Sequence, residues 1–221
     1  MTAGRHILVV TAVEAERMAL GTACLTAKHV HVEVGGIGRA NAAATVAHAL
    51  ARVPYDTVIS VGIAGALPAQ SPPLEGVALG TVVVASACVY AEEGIETPDG
   101  FLDMQGLGFP LGDFDGNRVP VCPALLAHFA PIGVVGDVAT VATCSGTDAR
   151  AQTVARRTGA IAEAMEGAAA VHAARRWGAA AIEVRTISNT TGDRSSQRWD
   201  MSVGLKSLHA VGDAIAALAR L

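Results

Sequence analysis

Aromatic residues make up only 4% of the 221-residue chain. Ring packing is scarce, so Ala and Val must fill the interior, which suits closely stacked helices and strands. Paired cysteines are missing as well. Cys24, Cys88, Cys122 and Cys144 stand singly with no CxxC spacing, which argues against structural zinc and a disulfide framework and for a reduced compartment. There is no basic excess: the formal net charge is −4, so the electrostatic footprint of a nucleic-acid partner is lacking. No charged N-terminal segment leads into an apolar stretch, and apolar runs elsewhere are short and broken by Gly or charge, so no membrane association is expected. Repeats and low-complexity tracts are absent. What the chain does have is a hydrophobic share of 51%, ample for a large core. The expectation is one cytoplasmic α/β domain spanning 1–221, without cofactor or metal.

Hydrophobic periodicity supplies the order of elements. HILVV (6–10) reads as a strand and VEAERMAL as the helix after it. HVHVEV (29–34) alternates like a strand, RANAAATVAHALARV is an Ala-rich helix closed by Pro54, and DTVISVGIAGAL is a buried strand. Residues 68–79 read as loop, GTVVVASACVY as a long strand, and the Gly- and Pro-rich segment 91–118 as a long functional loop. IGVVGDVATVATCSG is strand and TDARAQTVARRTG helix. AIAEAMEGAAAVHAARRWG passes from a short strand into a helix, AAIEVRTIS is the last strand, and 201–220 the closing helix. Such alternation predicts a mixed, mainly parallel sheet covered on both faces, a three-layer α/β/α domain with ligands at the carboxyl ends of strands.

Those strand ends hold the candidate residues. GGIGRAN (35–41) only half matches a dinucleotide fingerprint, since Asn41 takes the sixth position and no acid ends a second strand; the plainer reading is a strand-to-helix turn, or a Gly loop near a ribose or phosphate. TAVEAER carries Glu14 and Glu16 at a helix start, where the helix dipole alone would favour them, although hydrolysis also needs a carboxylate to polarise water. EAMEGAA places Glu166 between strand and helix, with Met165 beside it. Arg185 sits in an apolar strand and needs a carboxylate partner; Ser188 and Asn189 end that strand. His29 and His31 share a strand face without a third ligand, so metal binding is not expected. Cys144 reads as a small buried thiol.

Taken together and in this order, TAVEAER, GGIGRANAA, SVGIAGAL, GTVVVAS, ATCSGTD, EAMEGAA and VRTISN resemble the purine nucleoside phosphorylase and nucleosidase superfamily over most of the chain. CSGT and RTISNTTGDRSSQRW are most similar to its futalosine-cleaving branch, the nucleosidases of the alternative menaquinone pathway. The resemblance implies cleavage of an N-glycosidic bond through a ribosyl cation-like transition state. It implies Glu16 as the acid that activates water, Met165 and Glu166 as the ribose-binding pair, and Arg185 beside the ribose. Ala64, Gly65, Ser145, Gly146, Thr147 and Ser188 are the further candidates to line the substrate pocket. Relatives assemble as dimers or larger, so a homo-oligomer is implied.

Two departures refine this expectation. A carboxylate at Glu16 stands where phosphorylases hold phosphate, which favours hydrolysis, although Arg17 and Arg39 could still attract an anion. Asn189 stands where relatives that cleave 6-amino purines have Asp. A carboxamide donates to a 6-oxo group that a carboxylate would repel, so Asn189 suits a hypoxanthine-type base while being unable to protonate it; Asp193 is the second-choice acid. In the following loop, Arg194 and Arg198 offer guanidinium groups to the carboxylate, and Trp199 an indole to the aryl ring, of the benzoate-bearing chain that futalosine carries on its ribose. The plainer reading of Trp199 is a buried anchor for the last helix. The rival activity is a 6-aminopurine nucleosidase of the methylthioadenosine type.

Overall fold

The alternation of buried runs and Ala-rich segments sets the order of elements in the computed structural model, which describes residues 6–70 and 76–221. In chain order they are β1 (Ile7–Thr11), α1 (Glu14–Ala19), α2 (Gly21–Leu25), β2 (Val30–Val34), α3 (Arg39–Arg52), β3 (Thr57–Ala66), β4 (Val82–Tyr90), β5 (Gly94–Thr97), β6 (Gly100–Asp103), β7 (Arg118–Pro120), α4 (Pro123–Phe129), β8 (Val134–Thr140), α5 (Asp148–Thr158), β9 (Ala162–Ala164), α6 (Gly167–Arg176), β10 (Ala180–Thr190) and α7 (Met201–Leu218). Every strand and helix read from the pattern is present. Part of the loop expected at 68–79, residues 71–75, lies outside the described residues.

Three differences have local causes. The segment 91–118 is not all loop: β5 and β6 form a separate two-stranded hairpin. Its strands are largely exposed, so they have no buried face to impose a period of two. The short α4 starts at Pro123, which occupies the first turn where a missing N–H costs nothing. His29 does not share a strand face with His31: it precedes β2 with φ 67°.

The sheet is mixed, as expected. β2, β1 and β3 run parallel, and β10 joins β3 in parallel on its other edge. Beyond β10 come β4, antiparallel, and then β8 and β9, each parallel to its predecessor. β9 then returns antiparallel to β3. The ring closes because β3 is ten residues long and changes neighbours along its length. β1 pairs with residues 57–60 and β9 with Gly65 and Ala66. One edge of β3 thus serves two strands, and the chain just beyond β1 meets β9 and the end of β10 around one spot.

Helices cover the ring on both sides. α7 buries Leu208, Val211, Ile215 and Leu218 at helical spacing and packs against β10 and α2. Its Gly212 touches the α1–α2 junction backbone to backbone, because a Cβ there would overlap the Leu20 carbonyl. Among the described residues no helix is long and apolar enough to cross a membrane. Gly212→Ala should therefore destabilise the protein by about 1–3 kcal/mol through overpacking. Thermal unfolding followed by circular dichroism would read this as a midpoint lowered by several degrees with unchanged helix content.

Candidate active site

A cleft of about 600 Å³ opens where these strand ends meet. Glu16 lies on its wall as the third residue of α1, five residues beyond the end of β1, and is 3% exposed. Its Oε2 accepts from the backbone N–H groups of Ala12 (2.8 Å) and Val13 (3.2 Å), and Oε1 from Ile63 N–H of β3 (2.9 Å). The bond to Val13 is the back-reach of a third-position Glu toward a helix start. A carboxylate has about four acceptor positions; three are filled by the fold, leaving one on Oε1. Glu14 takes the plainer role, exposed and paired with Arg17 at 2.6 Å.

Glu166, 8% exposed, stands at the start of α6. The turn GGIGRAN reaches it: Gly38 N–H donates to Oε1 at 2.9 Å. Oε2 accepts from Met165 N–H at 3.3 Å and faces Arg185 Nη1 at 3.3 Å. The Gly loop therefore touches a carboxylate. Again one acceptor position remains on Oε1, toward the cleft that Met165 also lines.

Arg185 lies beneath this wall rather than on it, 1% exposed. Its Nε donates to Glu183 Oε1 at 2.7 Å and its Nη2 to Ser60 Oγ at 3.1 Å. Burial works against its charge, yet Glu183, Glu166 and Glu16 outweigh burial and hold the guanidinium above its ordinary range. Burial likewise pushes the Glu183 carboxyl up, and Arg185 opposes that. Gly62 passes between Arg185 and Glu16: a Cβ there would lie 2.5 Å from both Nη1 and Oε1. Glu183 was not singled out from sequence, although its spacing of two from Arg185 puts both on one face of a strand.

The end of β10 carries Ser188 and Asn189, 1% and 8% exposed. Ser188 Oγ lies 2.9 Å from Asn189 Oδ1 and 3.3 Å from Ala64 O. The shorter contact takes its single proton and fixes which way the amide faces. Asn189 Nδ2 donates to Thr190 O at 3.0 Å, which leaves its second N–H free. Ala64 and Gly65 form the floor beside it. The loop beyond folds back along the strand, with Asn189 bridged to Trp199 and Asp200 N–H donating to Ser188 O at 2.8 Å.

That return corrects the buried placement of Trp199. It is 49% exposed at the cleft, held by Nε1 donating to Gln197 Oε1 at 2.7 Å, with the Arg194 guanidinium 4.7 Å over its ring. Asp200, not Trp199, anchors the last helix by accepting from Val203 N–H. Asp193 does not fold into the cleft; its carboxylate accepts from Asp148 N–H at the outer end of α5. Thr147 caps α5 by accepting from Arg150 N–H and is not on the cleft wall. Ser145 and Gly146 are. Cys144 is exposed at the rim rather than buried; partial desolvation, with Glu163 and Glu166 nearby, pushes its thiol up, away from nucleophilic thiolate character. The other arginines considered for an anion are matched by acids: Arg39 by Glu92 and Glu93, Arg17 by Glu14. Among the described residues no group of three or more His, Cys, Asp or Glu could hold a metal ion.

The phosphorylase superfamily model matches residues 7–221. A futalosine hydrolase of Streptomyces coelicolor is 35% identical, with 97% of this chain and 95% of that protein covered. A futalosine hydrolase of Acidothermus cellulolyticus is 36% identical over 98% and 92%. Among solved structures, an S-adenosylhomocysteine nucleosidase of Streptococcus pyogenes in complex with 5-methylthiotubericidin superposes with TM-score 0.72 at 22% identity, covering 99% of this chain and 95% of that one.

Because Thr147 caps a helix and leaves the cleft alone, Thr147→Ala should cost about 1 kcal/mol of stability. Denaturant unfolding and steady-state kinetics together would check this, with a lowered midpoint and an unchanged KM.

Proposed function

The chain belongs to the phosphorylase superfamily, as an N-glycosyl hydrolase of the nucleosidase type, and we propose that its substrate is futalosine, cleaved to hypoxanthine and dehypoxanthine futalosine. The observation that carries the choice of base is Asn189: its amide, oriented by Ser188, keeps one N–H free beside the Gly65 floor. A 6-oxo purine offers that N–H an acceptor, whereas a 6-amino group would meet it donor to donor.

The chemistry follows from the unfilled acceptor positions. Glu16 Oε1 accepts a proton from a water whose oxygen attacks the anomeric carbon as the bond to the base nitrogen breaks. Glu166 Oε1 accepts from a ribose hydroxyl, and the two carboxylates stabilise the positive charge that develops on the sugar. Asn189 donates a hydrogen bond to the base as it gains electron density. The departing base anion takes its proton from solvent, while Glu16 gives up to solvent the proton it took from the water. Phosphate is disfavoured as nucleophile by the carboxylate at Glu16 and by the pairing of Arg17 and Arg39. Arg194, stacked over Trp199, suits the aryl carboxylate on the 5′ side. The same reading carries a place in menaquinone biosynthesis and a homo-oligomer.

The decisive assay incubates the protein with futalosine, inosine or methylthioadenosine, with and without phosphate. Free hypoxanthine from futalosine, at a rate indifferent to phosphate, supports the proposal; faster release from methylthioadenosine would make the chain a 6-aminopurine nucleosidase, and a sugar 1-phosphate product would make it a phosphorylase. Glu16→Gln should slow hydrolysis by about 10²- to 10⁴-fold in a protein with unchanged circular dichroism.

Replacing the base donor gives a separate measurement. Asn189→Asp removes an N–H and sets a carboxylate against the 6-oxo group, so kcat/KM on futalosine should fall about 10- to 100-fold. The ratio of 6-oxo to 6-amino turnover should move toward the 6-amino substrate; a ratio that stays put would remove Asn189 from base recognition.

A further inference from the structure

Far from the cleft, β2 is the outermost strand of the sheet, and among the described residues it pairs on one side alone, with β1. The register with β1 decides what the other side offers. In a parallel pair, alternate residues turn N–H and C=O to the neighbour, and the residues between them turn theirs away. His29 O accepts from Ile7 N–H, and Gly35 N–H donates to Thr11 O, so the odd-numbered residues face β1. Val30, Val32 and Val34 face outward. Val30 N–H turns back to Ala27 O at 3.2 Å, which leaves two N–H groups and three carbonyls along the open edge. A groove of about 480 Å³ runs beside residues 31–34, between α1 and the end of α3. An extended segment fills a groove of that kind by adding a strand to the sheet.

The order of side chains in β2, VHVEV, indicates which segment. Laid antiparallel against a second copy about Val32, it sets Val32 on Val32, Val30 on Val34 and His31 on Glu33. Val32 then forms a hydrogen-bonded pair on the twofold axis, each outward N–H donating to the other copy's Val32 carbonyl. Each Val34 N–H donates to the Val30 carbonyl opposite. His31 and Glu33 fall at the positions between, where cross-strand side chains stand closest. Within one chain His31 Nε2 already lies 3.8 Å from Glu33 Oε2. Pairing adds a second carboxylate across the seam, so acid and imidazole alternate both along and across the strands. On the opposite face Val34, 38% exposed, gains Val30 as a neighbour. A slip of two residues would set His31 on His31 or Glu33 on Glu33, so one register is specified.

We propose that β2 is a docking edge for a second copy of this chain, the two strands pairing antiparallel about Val32 and continuing the sheet across a twofold axis. Two five-residue strands cover a small area, so the contact is weak and concentration-dependent. It adds a defined contact to the homo-oligomer proposed above. It involves no residue of the cleft wall and does not rest on the nucleoside reading, so assays of turnover and of association answer separately.

Sedimentation velocity over a concentration series tests it, with circular dichroism as the check on folding. The unsubstituted protein should show an association step that doubles the mass of its dilute form. Val32→Pro removes the central pair of bonds, at a site where an edge strand tolerates proline because the N–H faces outward. The step should weaken about 10- to 100-fold. His31→Glu sets like charges opposite one another twice and should weaken it about tenfold. The double variant His31→Glu/Glu33→His restores unlike partners in the same register and should return the step to its original strength. Damage to the strand itself would not be repaired in that way. Should Val32→Pro fail to fold, hydrogen exchange on the unsubstituted protein reads the same contact: the Val32 and Val34 amides should be protected in concentrated solution and exchange on dilution. Absence of the step, a step unchanged by Val32→Pro, a double variant as weak as His31→Glu, or Val32 exchange indifferent to concentration overturns the proposal.

Discussion

A guanidinium with 1% of its surface exposed must be matched by acids, and the cleft is arranged around that requirement at Arg185. Moving a charge out of water costs several kcal/mol even after relaxation. Glu183 at 2.7 Å and Glu166 at 3.3 Å answer it, with Ser60 taking a third donor. The match dictates more than one pair. β10 must carry Glu183 and Arg185 two residues apart to place both on one face. β3 must carry Gly62 where a methyl would collide with both Arg185 and Glu16. α6 must begin with Gly167, because Glu183 occupies the space a side chain would need. Removing one partner of such a buried pair costs about 3–5 kcal/mol, since the other charge is left uncompensated.

Four buried acids therefore share one neighbourhood without sharing one job, and what separates them is how much hydrogen-bonding capacity the fold has already used. Glu183 lies wholly inside, turned to Arg185. Glu166 spends Oε2 on Met165 and Arg185 and keeps part of Oε1. Glu16 spends three positions on backbone N–H groups and keeps one. Glu163 keeps one on each oxygen after Ser145 has oriented it. A group with unspent capacity at a cleft wall is one that a ligand can satisfy. The floor between them is Ala64 and Gly65, where small side chains let a flat ring approach the strand.

The ring closure of the sheet makes this convergence possible. An open sheet with β1 along the whole edge of β3 would leave no place for β9. Because β1 lets go after Ser60, β9 reaches Gly65 and Ala66, bringing Glu163, Met165 and Glu166 against Glu16 and Asn189. Sequence separations of well over a hundred residues, such as Gly38 to Glu166, are spanned only in this way.

The sequence by itself determined the α/β class, nearly every strand and helix, and the strand ends at which Glu16, Glu166, Ser188 and Asn189 appear. Periodicity and local turn chemistry act over a few residues, and these features are local. It was blind to the hairpin in 91–118, whose exposed strands bury no face, and to Glu183 and Glu163, which look like ordinary acids until a partner across the sheet is known. Only the tertiary structure decided that Thr147 and Asp193 belong to the start of α5, that Arg185 works from behind Glu166, and that Trp199 lines the mouth of the cleft. Each depends on which way a loop returns and which strand lies alongside. Pairings between distant segments settle that choice, and no short stretch of sequence contains them.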